Sequence, residues 1–419
     1  MAEKSLHPLT PPGGQAEQVL DGVRYARILH GNAPWRLGAV NAAWREALVP
    51  LGAEPGADAL SALAGNGIWL SPDESAGPLA VMCGGMGALW PGAGRGLYDA
   101  FPAARAAMDR IQSVADWDVL SLMDEKDPGK INATRWQIPY LFLLEYAQWS
   151  CLIELGLSPG LLFGHSLGEL MALCCAGVYG PDVGWYILDT HAVHVAELEA
   201  RASRRTAMMS VHAGLSVIEE VRAAWPDIVV VNYNTRTQFI LSGPRDALGE
   251  ARASLRKRRI PAIMLPVSLM FHSPGMRVLR DVSLKNLKAL ELNAPRIPVL
   301  SMASTGFYPD DAAGISRLIA DLDETPVRWL ENVENAWAKH GVRHFLELGP
   351  RDVLCGLVRD IEPGALCLAC DRKDREIDGM REACARLYAL GHLSWDGIAR
   401  RAGSAPQGKA AESPGVVMP

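Results

Sequence analysis

A serine between two glycines, placed after an apolar run and before a helical pattern, is the feature that most constrains this fold. It lies in the stretch LLFGHSLGELMAL, residues 161–173, with Ser166 at its centre. A G-x-S-x-G segment between a strand and a helix forms a sharp turn that exposes the serine hydroxyl. The next backbone N–H, that of Leu167, then faces the position of a substrate oxyanion. Short glycine-flanked patterns also recur by chance in strand–helix turns with a capping serine, so the role of Ser166 stays open.

The hydrophobic pattern predicts two α/β units in one chain. The main unit opens with the strand PLAVMCGG and has a later strand in RHFLEL. The insert within it reads strand–helix–strand–strand–helix–strand, which is typical of a ferredoxin-like subdomain. The predicted segments are a helical N-terminal extension and linker (1–77), a large α/β subdomain with a parallel sheet (78–204 and 268–400), a ferredoxin-like subdomain (205–267) and a disordered tail (401–419).

Charge and cysteine usage narrow the class of protein. A formal net charge of −6 over 419 residues does not favour binding to nucleic acid or to an anionic membrane surface. No apolar stretch is long enough to span a bilayer, and the N-terminus lacks the apolar centre of a signal peptide. The eight cysteines form no C-x-x-C array, which is typical of free, partly buried thiols in a reducing compartment. We therefore expect a cytoplasmic enzyme without a metal site.

A serine needs a general base to be a nucleophile near neutral pH, and histidine is the usual one. Among ten histidines, the best candidate is His272 in SLMFHSPGM, which follows the last strand of the predicted insert. A loop at that point can return to the main sheet, and the insert would then cover the cleft. A histidine packed in a loop beside Phe271 and Met270 fits the same letters, so the pattern alone leaves the base unassigned.

Several segments resemble, in order, the malonyl-CoA:acyl-carrier-protein acyltransferase family of fatty-acid and polyketide synthesis. The resemblance runs from about Pro78 to about Cys367 and rests on CGGMGALWPGAGRGLYDAFPAARAAMD, GHSLGEL followed by CAGVYG, NYNTRTQFILSG, FHSPGM and ETPVRWLENVENAWAKHGVRHFLELGPRDVLCGL. It implies an α/β-hydrolase-like large subdomain and a small ferredoxin-like subdomain. An ordinary α/β-hydrolase is the rival enzyme, but such enzymes usually lack an acid like Glu169 and an insert before the histidine.

The resemblance also implies roles for the site residues. Ser166 would be the nucleophile and His272 its base, oriented by a backbone carbonyl that alignment on TPVRW gives to Leu322. The backbone N–H groups of Leu167 and Met86 would form the oxyanion hole, although the family has glutamine at the second position. A backbone donor does not depend on its side chain, so this departure leaves the chemistry intact.

Other departures concern the acyl group. The arginine that holds the carboxylate of malonyl-type substrates is replaced by His191, and the glutamine of a Q-P pair is replaced by Ile138. Met270, Phe271 and Asn234 complete the implied substrate-binding residues. Arginine offers a fixed charge and a bidentate fork, whereas histidine offers one or two donors. Either malonyl is still accepted with His191 as a weaker donor, or the pocket takes a monocarboxylic or otherwise unusual acyl group.

The expected partner is an acyl carrier protein, and a basic cluster in SLRKRRIPA is a candidate for docking it. The cluster consists of Arg256, Lys257, Arg258 and Arg259 at the end of the insert's second helix. Carrier proteins are acidic, which favours such a surface. The alternative is a solvated helix end whose cations complement the helix dipole.

The resemblance implies a stand-alone acyltransferase acting in trans in polyketide-type biosynthesis. The acyl donor would be coenzyme A or a phosphopantetheine-linked thioester, with no permanently bound cofactor. Two alternatives remain open at this point. One is an editing hydrolase of the same fold, in which water replaces the acceptor thiol, and the other is a carrier-docking protein without activity.

Overall fold

The computed structural model describes residues 18–30, 33–42, 57–72, 77–202, 205–267, 269–372 and 375–404. Within these ranges no helix combines the length and the apolar character that a bilayer crossing demands. All eight cysteines are buried and free.

The N-terminal extension is built mainly from strands, and the prediction that it is helical is wrong for residues 18–39. β2 and β3 pair from Arg24↔Ala39 to His30↔Ala33, so only Gly31 and Asn32 connect them. The antiparallel pairing of these two strands outweighs the helical pattern of the same residues. The elements, in sheet order β1-β2-β3-β4, are β1 (Gln18–Leu20), β2 (Val23–His30), β3 (Ala33–Ala39), α1 (Ala57–Gly65) and β4 (Ile68–Pro72).

The large subdomain begins with two neighbouring parallel strands and the helices around them. LAVMC and LLFG are buried at every position, as expected for strands covered on both faces. The elements are β5 (Leu79–Cys83), α2 (Arg95–Ala100), α3 (Pro102–Val114), α4 (Pro128–Ile131), α5 (Thr134–Glu154), β6 (Leu161–Gly164), α6 (Gly168–Cys175) and α7 (Pro181–Arg201).

The small subdomain is an antiparallel sheet of order β10-β7-β9-β8 with two helices. Its own apolar core includes Met209, Leu241 and Leu255. The order of its elements is the ferredoxin-like one, which confirms that part of the expected fold class. The elements are β7 (Thr206–His212), α8 (Leu215–Ala224), β8 (Val229–Thr235), β9 (Gln238–Pro244), α9 (Arg245–Lys257) and β10 (Ala262–Met264).

The chain then returns to complete a parallel sheet of order β11-β6-β5-β12-β13. This sheet, with helices on it, is the large α/β subdomain expected from the sequence. The last helix includes residues 401–404, which were predicted to belong to a disordered tail, and residues 405–419 lie outside the described ranges. The elements are α10 (Arg277–Leu287), β11 (Val299–Leu300), α11 (Ala312–Asp321), α12 (Trp329–His340), β12 (His344–Leu348), α13 (Val353–Ile361), β13 (Leu366–Ala369), α14 (Glu376–Ala389) and α15 (Trp395–Ser404).

The N-terminal sheet is packed between α1 and α14. Successive residues of a strand face opposite sides, so Ala26 joins the apolar cluster under α1 while Tyr25 packs edge-on against Tyr388 of α14 at 5.4 Å. A Cβ atom at Gly38 would lie 1.9 Å from the carbonyl oxygen of Ala385, so this glycine allows β3 to approach α14. The sheet is thereby fixed to the large subdomain.

The small sheet joins the large subdomain through its β8 edge. The Tyr233 N–H donates to the Val327 carbonyl at 2.8 Å, and the Val327 N–H donates to the Val231 carbonyl at 2.9 Å. These bonds place the β8–β9 hairpin next to the carboxyl end of β6, where Ser166 lies.

Candidate active site

Ser166 occupies a strained turn between β6 and α6. Its φ of 57° lies in the left-handed region, which residues other than glycine seldom adopt. Two glycines make the turn possible. A Cβ at Gly164 would lie 2.0 Å from the Glu169 nitrogen, and one at Gly168 would lie 2.1 Å from the Cys83 carbonyl oxygen. Both glycines of the G-x-S-x-G motif are therefore required, because other parts of the backbone come close to the chain on both sides of the serine.

His272 lies in hydrogen-bond contact with Ser166, as the sequence analysis expected for a general base. The Ser166 Oγ and His272 Nε2 atoms are 2.7 Å apart, and His272 Nδ1 is 3.0 Å from the Leu322 carbonyl oxygen. A carbonyl only accepts, so Nδ1 carries the proton and Nε2 is left to accept from the serine hydroxyl. Burial lowers the pKa of His272 from its ordinary value, which keeps the ring neutral at pH 7.

Two backbone N–H groups near Ser166 are available to a ligand. Within the described residues, neither the Met86 N–H nor the Leu167 N–H donates to an acceptor. Gly85 holds the first loop against the elbow, since a Cβ there would lie 2.8 Å from the His165 carbonyl oxygen. Leu167 follows the nucleophile directly and Met86 follows Gly85, so both free N–H groups lie near Ser166.

Two buried side chains that sequence reasoning missed hold this loop. Glu145 accepts a hydrogen bond from the Gly84 N–H at 2.5 Å, and Gln137 accepts one from the Gly87 N–H at 2.5 Å. Burial raises the pKa of Glu145 well above its usual range. The signal for Gln137 was present, because it precedes Ile138 in the segment where a family glutamine was sought.

A second support lies behind the elbow at Glu169. Its carboxyl accepts from the Tyr308 hydroxyl at 2.6 Å and from the Met302 N–H at 2.6 Å. Burial raises the pKa of this carboxyl to about 7. The residue links α6 to the segment after β11 and so fixes the helix that begins at the elbow.

A cleft of about 210 Å³ opens between the Met86 loop, the β8–β9 hairpin and the loop before α13. His165 and Asn234 line it, with His165 Nε2 2.9 Å from Asn234 Oδ1. Asn234 Nδ2 also donates to Gln238 Oε1 at 3.3 Å. Burial lowers the pKa of His165 to about 4, so this imidazole is neutral and positions Asn234 at the cleft.

The other residues expected around the acyl group lie in different surroundings. His191 of α7 faces Asp323, with its Nε2 atom 3.7 Å from Asp323 Oδ1, and both side chains are buried. Phe271 is buried in an apolar cluster between the subdomains, and Met270 is half-buried. Ile138 is 1% exposed and belongs to the large core rather than to the cleft walls described above.

The basic cluster lies on the surface of the small subdomain. Arg256, Lys257, Arg258 and Arg259 are all exposed, and Arg258 forms an ion pair with Glu220 at 2.7 Å. In the ranges that the structure describes, no group of three His, Cys, Asp or Glu side chains is arranged to hold a metal ion.

The chain is similar to known proteins both in its family and in its sequence. A family model described as "Acyl transferase domain" matches residues 81–361. A non-reducing polyketide synthase of Trichophyton rubrum is 28% identical over 323 residues, which is 73% of this chain and 18% of that protein. This chain therefore spans less than a fifth of the synthase that it resembles.

Solved structures of acyltransferases have the same fold. The acyltransferase domain from the second module of the salinomycin polyketide synthase is similar with a TM-score of 0.71 and 28% identity, covering 84% of each chain. A malonyl-transacylase solved in complex with its type II polyketide synthase acyl carrier protein is similar with a TM-score of 0.66 and 26% identity. That match covers 72% of this chain and 98% of the other.

Proposed function

Because the chain belongs to the acyl transferase domain family, we propose that it transfers an acyl group to an acyl carrier protein through an ester on Ser166. The family makes the protein an acyltransferase that acts on acyl thioesters and needs no permanently bound cofactor. The observation that carries the proposal is the hydrogen bond of 2.7 Å between Ser166 Oγ and His272 Nε2. The proposed setting is polyketide-type biosynthesis, in keeping with the polyketide synthases among the relatives.

The proposed reaction has two steps that use the same residues. In the first, His272 Nε2 takes the Ser166 proton as Oγ attacks the thioester carbonyl, and the N–H groups of Leu167 and Met86 bind the oxyanion. Collapse breaks the C–S bond, and the leaving thiolate of coenzyme A or of the donor carrier protein takes the proton from Nε2. In the second, His272 deprotonates the acceptor thiol, which attacks the ester and releases Ser166 with its proton.

The presence of His191 at the position of the family's arginine favours an acyl group other than a dicarboxylic malonyl-type unit. A buried substrate carboxylate needs a cation with several donors, and the position that the resemblance gives to arginine holds an imidazole. That imidazole already faces the carboxylate of Asp323 at 3.7 Å. A second carboxylate at this point would meet like charge in a buried environment, which is costly.

The proposed partner is an acidic carrier protein on a separate chain, docked near Arg256, Lys257 and Arg259. His212 pairs with Gln238 across the small sheet and donates from its N–H to the Pro261 carbonyl at 3.0 Å. The basic cluster is therefore at the end of the sheet that carries the β8–β9 hairpin. That end faces the cleft beside Ser166, which a phosphopantetheine arm must enter.

Intact-mass spectrometry after incubation with a set of acyl thioesters tests the proposal. The wild-type protein should gain one acyl mass, and the Ser166→Ala variant should gain none because no other hydroxyl lies in the elbow. Ser150→Ala on α5 is a matched control that should load normally, since its hydroxyl bonds the Tyr146 carbonyl away from the elbow. Adding a carrier protein should remove the acyl mass and move it to the carrier. Loading of Ser166→Ala would contradict the nucleophile, and release as free acid would indicate the editing hydrolase.

A further inference from the structure

A second cavity lies behind the wall of the active site, between α7, α10 and the segment after α11. It is a narrow cavity of about 30 Å³, partly open to solvent. Its walls are mostly apolar and include Leu170, Ile187, Leu279 and Ile319. Leu322, whose carbonyl accepts from His272 Nδ1, also lines it, so the cavity lies one residue behind the catalytic pair.

Two ionisable side chains line this cavity, and the carboxylate has no hydrogen-bond donor from the described residues. His191 and Asp323 both line it, and their side chains are 9% and 7% exposed. Among the described residues, the Asp323 carboxylate accepts no hydrogen bond, and its one ionic contact is His191 Nε2 at 3.7 Å, which is longer than a hydrogen bond. A buried carboxylate normally has several donors, because an unpaired one costs much free energy. Asp323 therefore has no protein donor on its carboxylate within the described ranges, and the carboxylate is open to the cavity.

Other charged groups around Asp323 do not supply that donor. Arg280 of α10 bonds Asp321 at 2.5 Å and Glu324 at 3.2 Å, on either side of Asp323. Arg277 bonds Glu324 at 3.0 Å. The two neighbouring carboxylates thus take the nearby arginines, and Asp323 remains directed to the cavity that His191 shares.

We propose that Asp323, together with His191, selects an acyl group whose chain carries a hydrogen-bond donor, either an amino or a hydroxyl group, and rejects a chain that carries a carboxylate. This inference rests on the proposed acyl-Ser166 function and identifies the substrate class of that site. The apolar walls would contact the end of the carbon chain, and its donor would supply the hydrogen bond that the Asp323 carboxylate does not receive from the described part of the protein. A carboxylated chain would bring a second negative charge next to Asp323, which is disfavoured in a buried site.

Four thioesters with the same number of chain carbons test the selection: butyryl-, 3-hydroxybutyryl-, 3-aminobutyryl- and succinyl-CoA. The rate of acyl-enzyme formation is measured by intact mass for each. The wild-type protein should load the hydroxy and amino chains about tenfold faster than butyryl, with succinyl slowest, because hydrogen bonds to a charged group are strong. The amino and hydroxy arms show which donor is preferred, and a faster rate for either supports the proposal.

Asp323→Asn isolates the selecting group. Asp323 also raises the pKa of His272, so its loss changes the rate for every thioester, and only the ratios between thioesters report selection. The amino-to-butyryl ratio should fall about tenfold, and the succinyl-to-butyryl ratio should rise. Asp321→Asn is the matched control, since it removes the same charge two residues away and contacts Arg280 instead. It should keep the wild-type order.

The outcomes separate this inference from the function on which it rests. If no thioester loads the wild-type protein, the acyl-Ser166 function is wrong and the selection with it. If the thioesters load but succinyl is fastest, or Asp323→Asn leaves the ratios unchanged, the selection alone is wrong. Should Asp323→Asn fail to fold, Asp323→Ser removes the same charge with a smaller side chain. The order of the four loading rates in the wild-type protein also tests the selection by itself.

Discussion

The ring of His272 is held by one hydrogen bond at each nitrogen, and in the proposed mechanism its protonation state controls whether Ser166 can react. Burial lowers the pKa of His272 below its ordinary value of 6.5, while the charge of Asp323 and the Leu322 carbonyl act in the opposite sense. The ring is thus neutral at pH 7 and becomes protonated as the pH falls through the lowered pKa. The rate of acyl-enzyme formation should therefore be flat near pH 7–8 and fall only below about pH 6.5.

His272→Ala should slow acyl-enzyme formation by about 10²- to 10⁴-fold and abolish this acidic limb, because the proposed general base is lost. Single-turnover rates between pH 5 and 8 measure both effects. His340→Ala is the control, since His340 packs against Phe307 at the far end of α12 and should keep both the rate and the limb. An acidic limb that persists in His272→Ala would assign the titrating group elsewhere.

Single residues could be predicted where a motif fixes them. The G-x-S-x-G motif predicted Ser166, and the ordered family motifs predicted His272 and Leu322. Their observed contacts match this expectation. Asp323 and Gln137 were missed because their significance depends on burial and on contacts with distant segments. No local pattern tells that Asp323, next to Leu322, would face His191.

At the scale of elements, the elbow depends on how closely α6 approaches the end of β5. A Cβ at Gly168 would lie 2.1 Å from the Cys83 carbonyl oxygen and 2.6 Å from the Gly84 carbonyl oxygen. Both are backbone atoms, so the helix must move. Gly168→Ala should lower the free energy of unfolding by about 1–3 kcal/mol and reduce acyl-enzyme formation more than tenfold. Denaturant unfolding and intact mass measure the two effects.

Gly249→Ala in α9 is the matched control for this substitution. A Cβ there meets no atom within 4 Å, so alanine should raise the stability by up to about 1 kcal/mol through its helix propensity. Loading should be unchanged, because α9 supplies no group to the elbow. Equal stability of Gly168→Ala and the wild-type protein would contradict the backbone clash.

Elements were predictable where periodicity was unambiguous. The buried runs of β5 and β6 and the alternation of the small subdomain gave the α/β class. The prediction for the extension failed because the apolar residues of GVRYARILHGNAPWRLGAV fit helical spacing as well as strand spacing, and the sheet packs against a helix on each face. Only the pairing of β3 with β2 and β4, and the packing on α14, decide between them. These are tertiary contacts that a local pattern does not contain.

At the scale of the whole molecule, the candidate active site lies where three chain segments meet that are far apart in sequence. The elbow follows β6, His272 follows the small subdomain, and Leu322 follows α11. The small subdomain contacts the large one along β8, so it both covers the cleft and carries an exposed basic surface at the same end. A docked carrier protein at that end would deliver its thiol into the cleft between the Met86 loop and Asn234.

Charge reversal on the small subdomain tests this docking. Arg256 and Arg222 are both exposed and lie in the last turn of their helices, so reversal weakens the dipole interaction of each helix alike. Arg256 lies at the end of the subdomain that faces the cleft, whereas Arg222 lies at the opposite end, because α8 runs back along β7.

Arg256→Glu should raise the KM for an acidic carrier protein about tenfold at low salt, since attraction becomes repulsion, and the difference should shrink at high salt. Arg222→Glu should leave that KM within about twofold of the wild-type value. Equal effects of the two reversals would show that the basic cluster is only a solvated helix end.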